Sequence, residues 1–290
     1  MAVLVTGAKG MLGQDLCPIL EDAGYEVIET DVDTLDITNA EQVKHVLEEY
    51  KPEIVIHCAA YTNVDKAEED LKTAELINVT GTENIADACG KLGITLVYIS
   101  TDYVFNGCNT VPYKPNDMPN PINNYGQTKY EGEEAVRSFC EKYYIARTSW
   151  LYGHHGKNFV ETMISLKDKD VLKVVDDQIG CPTWTVELAN GILKLLNKPY
   201  GTYHVCGSGH TSWYGFAKEI FRLMDLKVNI QPCATDEFPR PAKRPAYSVM
   251  DNIGEYFEPF RWASDDLYHP DMKEYVEGNY SADHQLSDDD

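Results

Sequence analysis

Residues 2–16, AVLVTGAKGMLGQDL, join an aliphatic run to a helical pattern across three glycines. Met11/Leu12, Leu16, Ile19/Leu20 and Ala23 recur at three and four residues, one apolar face of a helix. Strand, glycines and helix in that order make a dinucleotide loop. Gly7 takes the tight turn, Gly10 lets the backbone approach a pyrophosphate, and Gly13 packs helix on strand. The helix start then supplies amide donors and a positive dipole. Gly7, Lys9, Gly10, Met11, Leu12 and Gly13 are therefore the candidate cofactor-binding residues of this loop.

The rest of the chain extends the same pattern. Further β-rich runs lie at 25–31, 53–60, 94–101 and 143–150, with helical patterns at 40–50 and 67–91 between them. Such alternation predicts an α/β protein with a Rossmann-type doubly wound parallel sheet. After about residue 150 a strand leading into a loop is expected at 169–184, a helix at 185–197, a strand at 201–207 and a helix from Trp213 to Met224. That half is too irregular for a second doubly wound unit and reads as a smaller α/β substrate-binding cap. Residues 1–150 are expected to bind the cofactor, with segments from about 170–240 crossing back. Residues 151–280 are expected mainly to form the cap, and 281–290 an acidic, disordered tail. Asp31 closes the second strand 18 residues after Gly13, where a carboxylate meets the adenosine ribose and favours NAD. Lys9, in the loop, can reach a 2′-phosphate and favours NADP. The two point in opposite directions, so the cofactor is NADPH or NADH.

A formal charge of -22, with no basic run, argues against a nucleic-acid surface. The opening residues lack the positive region of a signal peptide, and no segment approaches the roughly 20 apolar residues of a membrane helix. The eight cysteines are widely spaced, without a Cys-x-x-Cys pair, so neither a disulfide framework nor a metal site is expected. These features predict a reduced, cytoplasmic protein.

Two further signals concern chemistry. Tyr125 and Lys129 in NNYGQTK share a helix face, where an ammonium can lower a phenol's pKa and make it a proton donor. With 19 tyrosines the spacing arises about once by chance, and it does recur at Tyr214 and Lys218. That second pair is read as structural, because no polar strand end precedes it. The run YISTDYVF (98–105), by contrast, ends in Ser100, Thr101 and Asp102, 24 residues before Tyr125 for the threonine. Open α/β sheets place ligands at such strand ends.

The glycine pattern, Thr101 and Tyr125-x-x-x-Lys129 resemble the extended short-chain dehydrogenase/reductases. Among them AAYTNVDKAE (59–68), STDYVF (100–105), RTSWLYG (147–153), DDQIGCPTW (176–184) and KRPAYS (243–248) are similar to the dTDP-4-dehydrorhamnose reductase group. The resemblance covers nearly the whole chain and implies hydride transfer from NAD(P)H to C4 of a dTDP-linked 4-keto-6-deoxy sugar. It implies catalytic roles for Tyr125, Lys129 and Thr101. Asp36 and Ile37 then correspond to adenine-side contacts, and Ala59, Ala60 and Tyr61 to the pyrophosphate side. Thr62, Val64, Asp102, Tyr103 and Trp150 match positions that line the sugar pocket. Arg244 is a candidate for a substrate phosphate, which a guanidinium pairs bidentately. Some members form homodimers through surface carboxylates near the first helix, for which Asp15 and Glu187 are candidates here, against the plain reading of scattered acids on a chain of charge -22 as solvated surface. Lys9 stands where a small polar residue is expected, and the acidic tail has no counterpart. A dehydratase would need a glutamate after Asp102, where this chain has Tyr103. The remaining rivals are a reductase of a related nucleotide 4-keto-6-deoxysugar and a non-enzymatic regulatory subunit like that of methionine adenosyltransferase, which shares the fold.

Overall fold

The computed structural model describes residues 1–252; the expected tail at 281–290 and the last part of the expected cap lie outside the described residues. The first half runs β1 (Ala2–Thr6), α1 (Met11–Asp22), β2 (Glu26–Thr30), α2 (Ala40–Tyr50), β3 (Ile54–His57), α3 (Val64–Glu69), α4 (Leu71–Glu75), a π-helical turn at Leu76–Gly81, α5 (Thr82–Leu92), β4 (Thr95–Thr101), α6 (Asn124–Phe139) and β5 (Tyr143–Thr148). The second half adds β6 (Leu151–Tyr152), α7 (Phe159–Ser165), β7 (Leu172–Val175), β8 (Ile179–Gly180), β9 (Thr183–Trp184), α8 (Thr185–Leu195), β10 (Gly201–His204), β11 (Thr211–Ser212), α9 (Trp213–Leu223) and β12 (Ile230–Cys233).

Six strands form one parallel sheet in the order β10-β5-β4-β3-β1-β2. The continuous aliphatic character of its strands follows from burial on both faces. Val3, Val5, Ile54, Ile56, Val97 and Ile99 pack with α1 and α8 on one face. Leu4, Val55, Leu96, Tyr98 and Ile145 pack with α2, α5 and α6 on the other. The winding reverses between β1 and β3, so a crevice opens at their carboxyl ends, where such sheets receive ligands.

The helix expected over 67–91 is broken. Asn63 and Asp70 cap two short helices by accepting from the backbone N–H of Lys66 and Thr73, and each cap starts a new helix rather than continuing the last. The π-helical turn then aims Asn78 inward. Its amide accepts from Tyr61 N at 2.8 Å and donates to Tyr61 O at 3.1 Å and Thr128 Oγ1 at 3.0 Å. A regular helix would carry that side chain elsewhere on the turn, and π-bulges serve such purposes.

In the second half, α8 returns to α1 through Leu188, Ala189, Ile192 and Leu195, and β10 extends the main sheet beside β5. The other short strands pair as β6–β9, β7–β12 and β8–β11 around a separate core of Tyr152, Val160, Trp184, Phe216, Ile220 and Phe221. Among the described residues no helix is long and apolar enough to cross a membrane.

Candidate active site

A cleft of about 900 Å³ runs along the carboxyl edge of the sheet, from the glycine loop to the cap. At one end the turn after β1 demands glycine. Gly7 has φ +67°, and a Cβ there would lie 2.8 Å from Ala59 N; one on Gly13 would lie 2.5 Å from Ala8 O. Gly10 is the N-cap of α1 and offers no capping side chain, so the first amides of α1 face the cleft free of side-chain acceptors. A cradle without side chains at a helix start fits a pyrophosphate. Lys9, Met11 and Leu12 line it as well.

Asp31, Asp36 and Ile37 line the adjoining wall. Asp31 accepts from Lys9 N at 2.9 Å and so ties the loop to the end of β2. The Lys9 ammonium meets Asp33 at 2.5 Å, an exposed pair that raises the lysine pKa through that hydrogen bond. Asp33, the partner of Lys9, carried no sequence signal. Ala59 and Ala60 follow β3 on the same wall; Tyr61 does not line it and instead has its backbone held by Asn78.

Thr101, Tyr125 and Lys129 meet where β4 ends and α6 begins, all three in the cleft wall. Thr101 Oγ1 accepts from Tyr103 N at 3.2 Å and donates to Asp102 Oδ1 at 3.1 Å. Asn123 caps α6 by accepting from Gly126 N at 2.7 Å. Gly126 lets this helix start sit on the turn after β4, since a Cβ there would be 2.1 Å from Tyr103 O. Lys129, only 2% exposed, places Nζ 4.1 Å from the centroid of the Tyr98 ring. Burial pushes the Tyr125 phenol up to about 12, partly offset by a hydrogen bond with Thr101. Burial likewise pulls the Lys129 ammonium down to about 7, against the Glu133 carboxylate, which raises it. Lys129 was expected to lower the phenol; burial raises it instead, and the side chains acting on it are Thr101, which lowers it, and Asp102, which raises it.

Behind this set lies a buried ionic network that the sequence did not disclose. Glu133, two turns beyond Tyr125 on the same helix, takes Arg147 Nε at 2.8 Å and Nη2 at 2.7 Å, Ser100 Oγ at 2.6 Å and Arg137 Nη2 at 2.8 Å. The continued spacing Tyr125, Lys129, Glu133 was the available signal.

On the cap side Thr62, Val64, Asp102, Tyr103 and Trp150 line the cleft. The Tyr103 and Tyr125 rings meet edge to face at 5.8 Å. Trp150 has φ +48° and stacks on Trp213, centroids 3.5 Å apart and planes 4° from parallel. Trp213 also lines the cleft and was not foreseen, because only the tertiary stack brings α9 there. Arg244 is not in the cleft wall. Its Nη1 and Nη2 bind Asp65 at 2.5 and 2.9 Å, and Nη1 donates to Ala242 O at 2.7 Å. Tyr214 and Lys218 lie outside the cleft, Tyr214 packing on the cap core. Asp15 accepts from Thr185 Oγ1 and faces His155 at 3.5 Å, while Glu187 lies beside a small separate pocket on α8. Among the described residues no group of three His, Cys, Asp or Glu side chains could hold a metal.

Comparison with known proteins bears on this arrangement. Residues 1–258 match the family described as the RmlD substrate binding domain. The spore coat polysaccharide biosynthesis protein SpsK of Bacillus subtilis is 46% identical over 249 residues, covering 86% of this chain and 88% of that protein. A solved dTDP-4-dehydrorhamnose reductase from Clostridium acetobutylicum is 48% identical with a TM-score of 0.91, covering 96% of this chain and 99% of that one. Another from Bacillus anthracis, solved in complex with NADP, is 43% identical with a TM-score of 0.90 and the same coverage. The chain thus belongs to the RmlD substrate binding domain family, which has dTDP-4-dehydrorhamnose reductases among its members.

Proposed function

We propose that this protein reduces the C4 keto group of dTDP-4-dehydro-6-deoxy-L-mannose to give dTDP-L-rhamnose, using NAD(P)H. The observation that carries the proposal is the meeting of Thr101, Tyr125 and Lys129 at one end of a cleft whose other end is the glycine loop. The relatives, solved dTDP-4-dehydrorhamnose reductases of which one holds NADP, support it.

When bound, the reduced nicotinamide supplies the hydride. Tyr125, with its phenol raised to about 12, stays protonated at neutral pH and donates its proton to the oxygen developing on C4. Thr101 hydrogen-bonds the same oxygen, and the Lys129 amine would hold the nicotinamide ribose through its N–H groups. Gly7, Gly10 and Gly13 leave room for the pyrophosphate, with Ala59 and Ala60 on its flank. Asp31, Asp36 and Ile37 take the adenosine end, where Lys9 can release Asp33 for a 2′-phosphate. Thr62, Val64, Tyr103 and Trp150 shape the sugar pocket, with Asp102 at its floor. Arg244 reaches a substrate phosphate only by exchanging Asp65 for it. In this reading residues 1–150, together with 185–204, form the cofactor-binding part, and the other described residues mainly the cap. The enzyme acts in the cytoplasm, and a charge of -22 speaks against a nucleic-acid partner.

The test is loss of reduced-nicotinamide absorbance on adding the dTDP-keto sugar, with NADH and NADPH side by side. Sugar-dependent oxidation is expected, and the ratio of the two rates weighs Lys9 against Asp31. No oxidation with either cofactor, despite measured cofactor binding, contradicts the proposal.

A further inference from the structure

The carboxyl edge of the sheet sets the order in which the cleft meets its ligands. Strand ends follow one another as β2, β1, β3, β4 and β5. Asp31 follows β2, the glycine loop follows β1, Ala59 lies just past β3, and Thr101 ends β4. The cofactor therefore takes up the edge from β2 to β4. The cleft does not stop there. It continues past the end of β5, where Trp150, Trp213 and Lys157 line it.

A cation at that far end is the unassigned feature. Among the described residues the cleft wall holds three cationic side chains, Lys9, Lys129 and Lys157, and no arginine. Lys9 lies at the adenosine end beside Asp33, and Lys129 is buried against Tyr98 at the reacting centre. Lys157 is exposed and has no ion pair or hydrogen bond among the described residues. The pyrophosphate cradle at β1 is three strands from β5, about 14 Å at the usual spacing. One lysine cannot serve the cofactor phosphates from there.

The loop that carries Lys157 is held in place. Asn158 Nδ2 donates to Gly153 O at 2.8 Å, and its Oδ1 accepts from Glu161 N at 3.1 Å. Phe159 packs on Trp213 with ring centroids 4.6 Å apart. The other basic residues of the loop lie outside the cleft wall: His155 meets Asp15 at 3.5 Å, and His154 sets its ring 5.8 Å from that of Trp184. Arg244 is outside the wall as well, with both guanidinium ends on Asp65.

We propose that Lys157 binds the diphosphate of the sugar nucleotide. This rests on the reductase reading above, which puts a dTDP-linked sugar in the part of the cleft that the cofactor leaves. Its diphosphate is anionic, and on a chain of charge -22 a local cation has to offset the surrounding field. The ammonium donates its N–H groups to the phosphate oxygens. Sugar C4 reacts at the end of β4, away from this contact, so Lys157 grips ground state and transition state alike.

The test is calorimetry on the full chain with its cofactor end filled by oxidised NADP, using dTDP and thymidine as probes. Lys157→Met should weaken dTDP by about tenfold or more and leave thymidine within about twofold. Lys157→Arg should hold dTDP within about threefold of wild type, and NADP affinity should be the same in all three proteins. With the keto sugar, Lys157→Met should raise KM and keep kcat within about threefold. Equal dTDP affinity in wild type and Lys157→Met overturns the assignment, as does an equal loss for thymidine, which would mean a role in shape and not in charge. A wild type that binds dTDP through Lys157 but never oxidises NAD(P)H with the keto sugar overturns the reductase reading and leaves the diphosphate contact standing.

Discussion

Two helices of this protein carry the same local phrase, Tyr-Gly-x-x-Lys, at 125–129 in α6 and at 214–218 in α9. Each helix is capped by a polar side chain two residues before the tyrosine, Asn123 accepting from Gly126 N and Ser212 from Gly215 N. Only the surroundings differ. The first pair sits on a strand end that supplies Thr101 and Asp102, with the lysine 2% exposed and backed by Glu133. The second pair rests on the cap core, with its lysine exposed and Nζ 5.7 Å from the centroid of the Tyr214 ring. Spacing sets which side chains share a helix face; chemistry comes from what that face meets.

The largest expected difference is in turnover. Tyr125→Phe should lower kcat by about 10²–10⁴-fold with cofactor binding intact, whereas Tyr214→Phe should stay within about twofold. Steady-state kinetics and a cofactor titration on both variants would show it, and equal losses would erase the contrast.

Next come the glutamates behind each pair. Glu133→Gln leaves Arg147, 1% exposed, without its carboxylate and should cost about 3–5 kcal/mol in denaturant unfolding. Glu219→Gln loosens only the half-exposed Arg222 and should cost about 1 kcal/mol.

The lysines separate by pH. Between about 7 and the ordinary lysine value the unfolded chain binds the proton that folded Lys129 has lost. Stability therefore rises with pH across that window, and the burden of Lys129 is full below it. Lys129→Met should stabilise the cofactor-free protein by about 1–4 kcal/mol at pH 6–7, with the gain fading toward pH 10. Lys218→Met should change stability by less than about 0.5 kcal/mol at any pH. Thermal melts of both variants against pH would measure this.

The glycines give the smallest contrast. Gly126→Ala presses a methyl on the Tyr103 backbone and should cost about 1–3 kcal/mol, visible as a lower melting temperature. Gly215→Ala meets only side chains, those of Thr211 and Ser212, and should cost less.

Much of this was readable in the chain. The five strands of the first half, the glycine loop, and the polar end of β4 with Tyr125 and Lys129 are written in short-range patterns, because local periodicity and strand-end chemistry fix them. The break of the 67–91 helix escaped, since Asp70 as a cap and Asn78 as an anchor act through contacts that periodicity does not record. Glu133 and Arg147, Asp65 and Arg244, and Trp150 and Trp213 lie 14, 179 and 63 positions apart. Their pairing exists only once the sheet and cap are assembled. Lys9 was seen, but the Asp33 that holds it was not.

Hydride delivery at this edge of the sheet to C4 of a dTDP-linked keto sugar, with Tyr125 as proton donor, can be followed atom by atom. It is tested most directly with NAD(P)H deuterated at nicotinamide C4, by following the sugar by NMR. Deuterium at sugar C4 with wild type, and almost none in the same time with Tyr125→Phe, is the predicted result. Deuterium retained on the cofactor with wild type, or equal transfer by the two proteins, would contradict it.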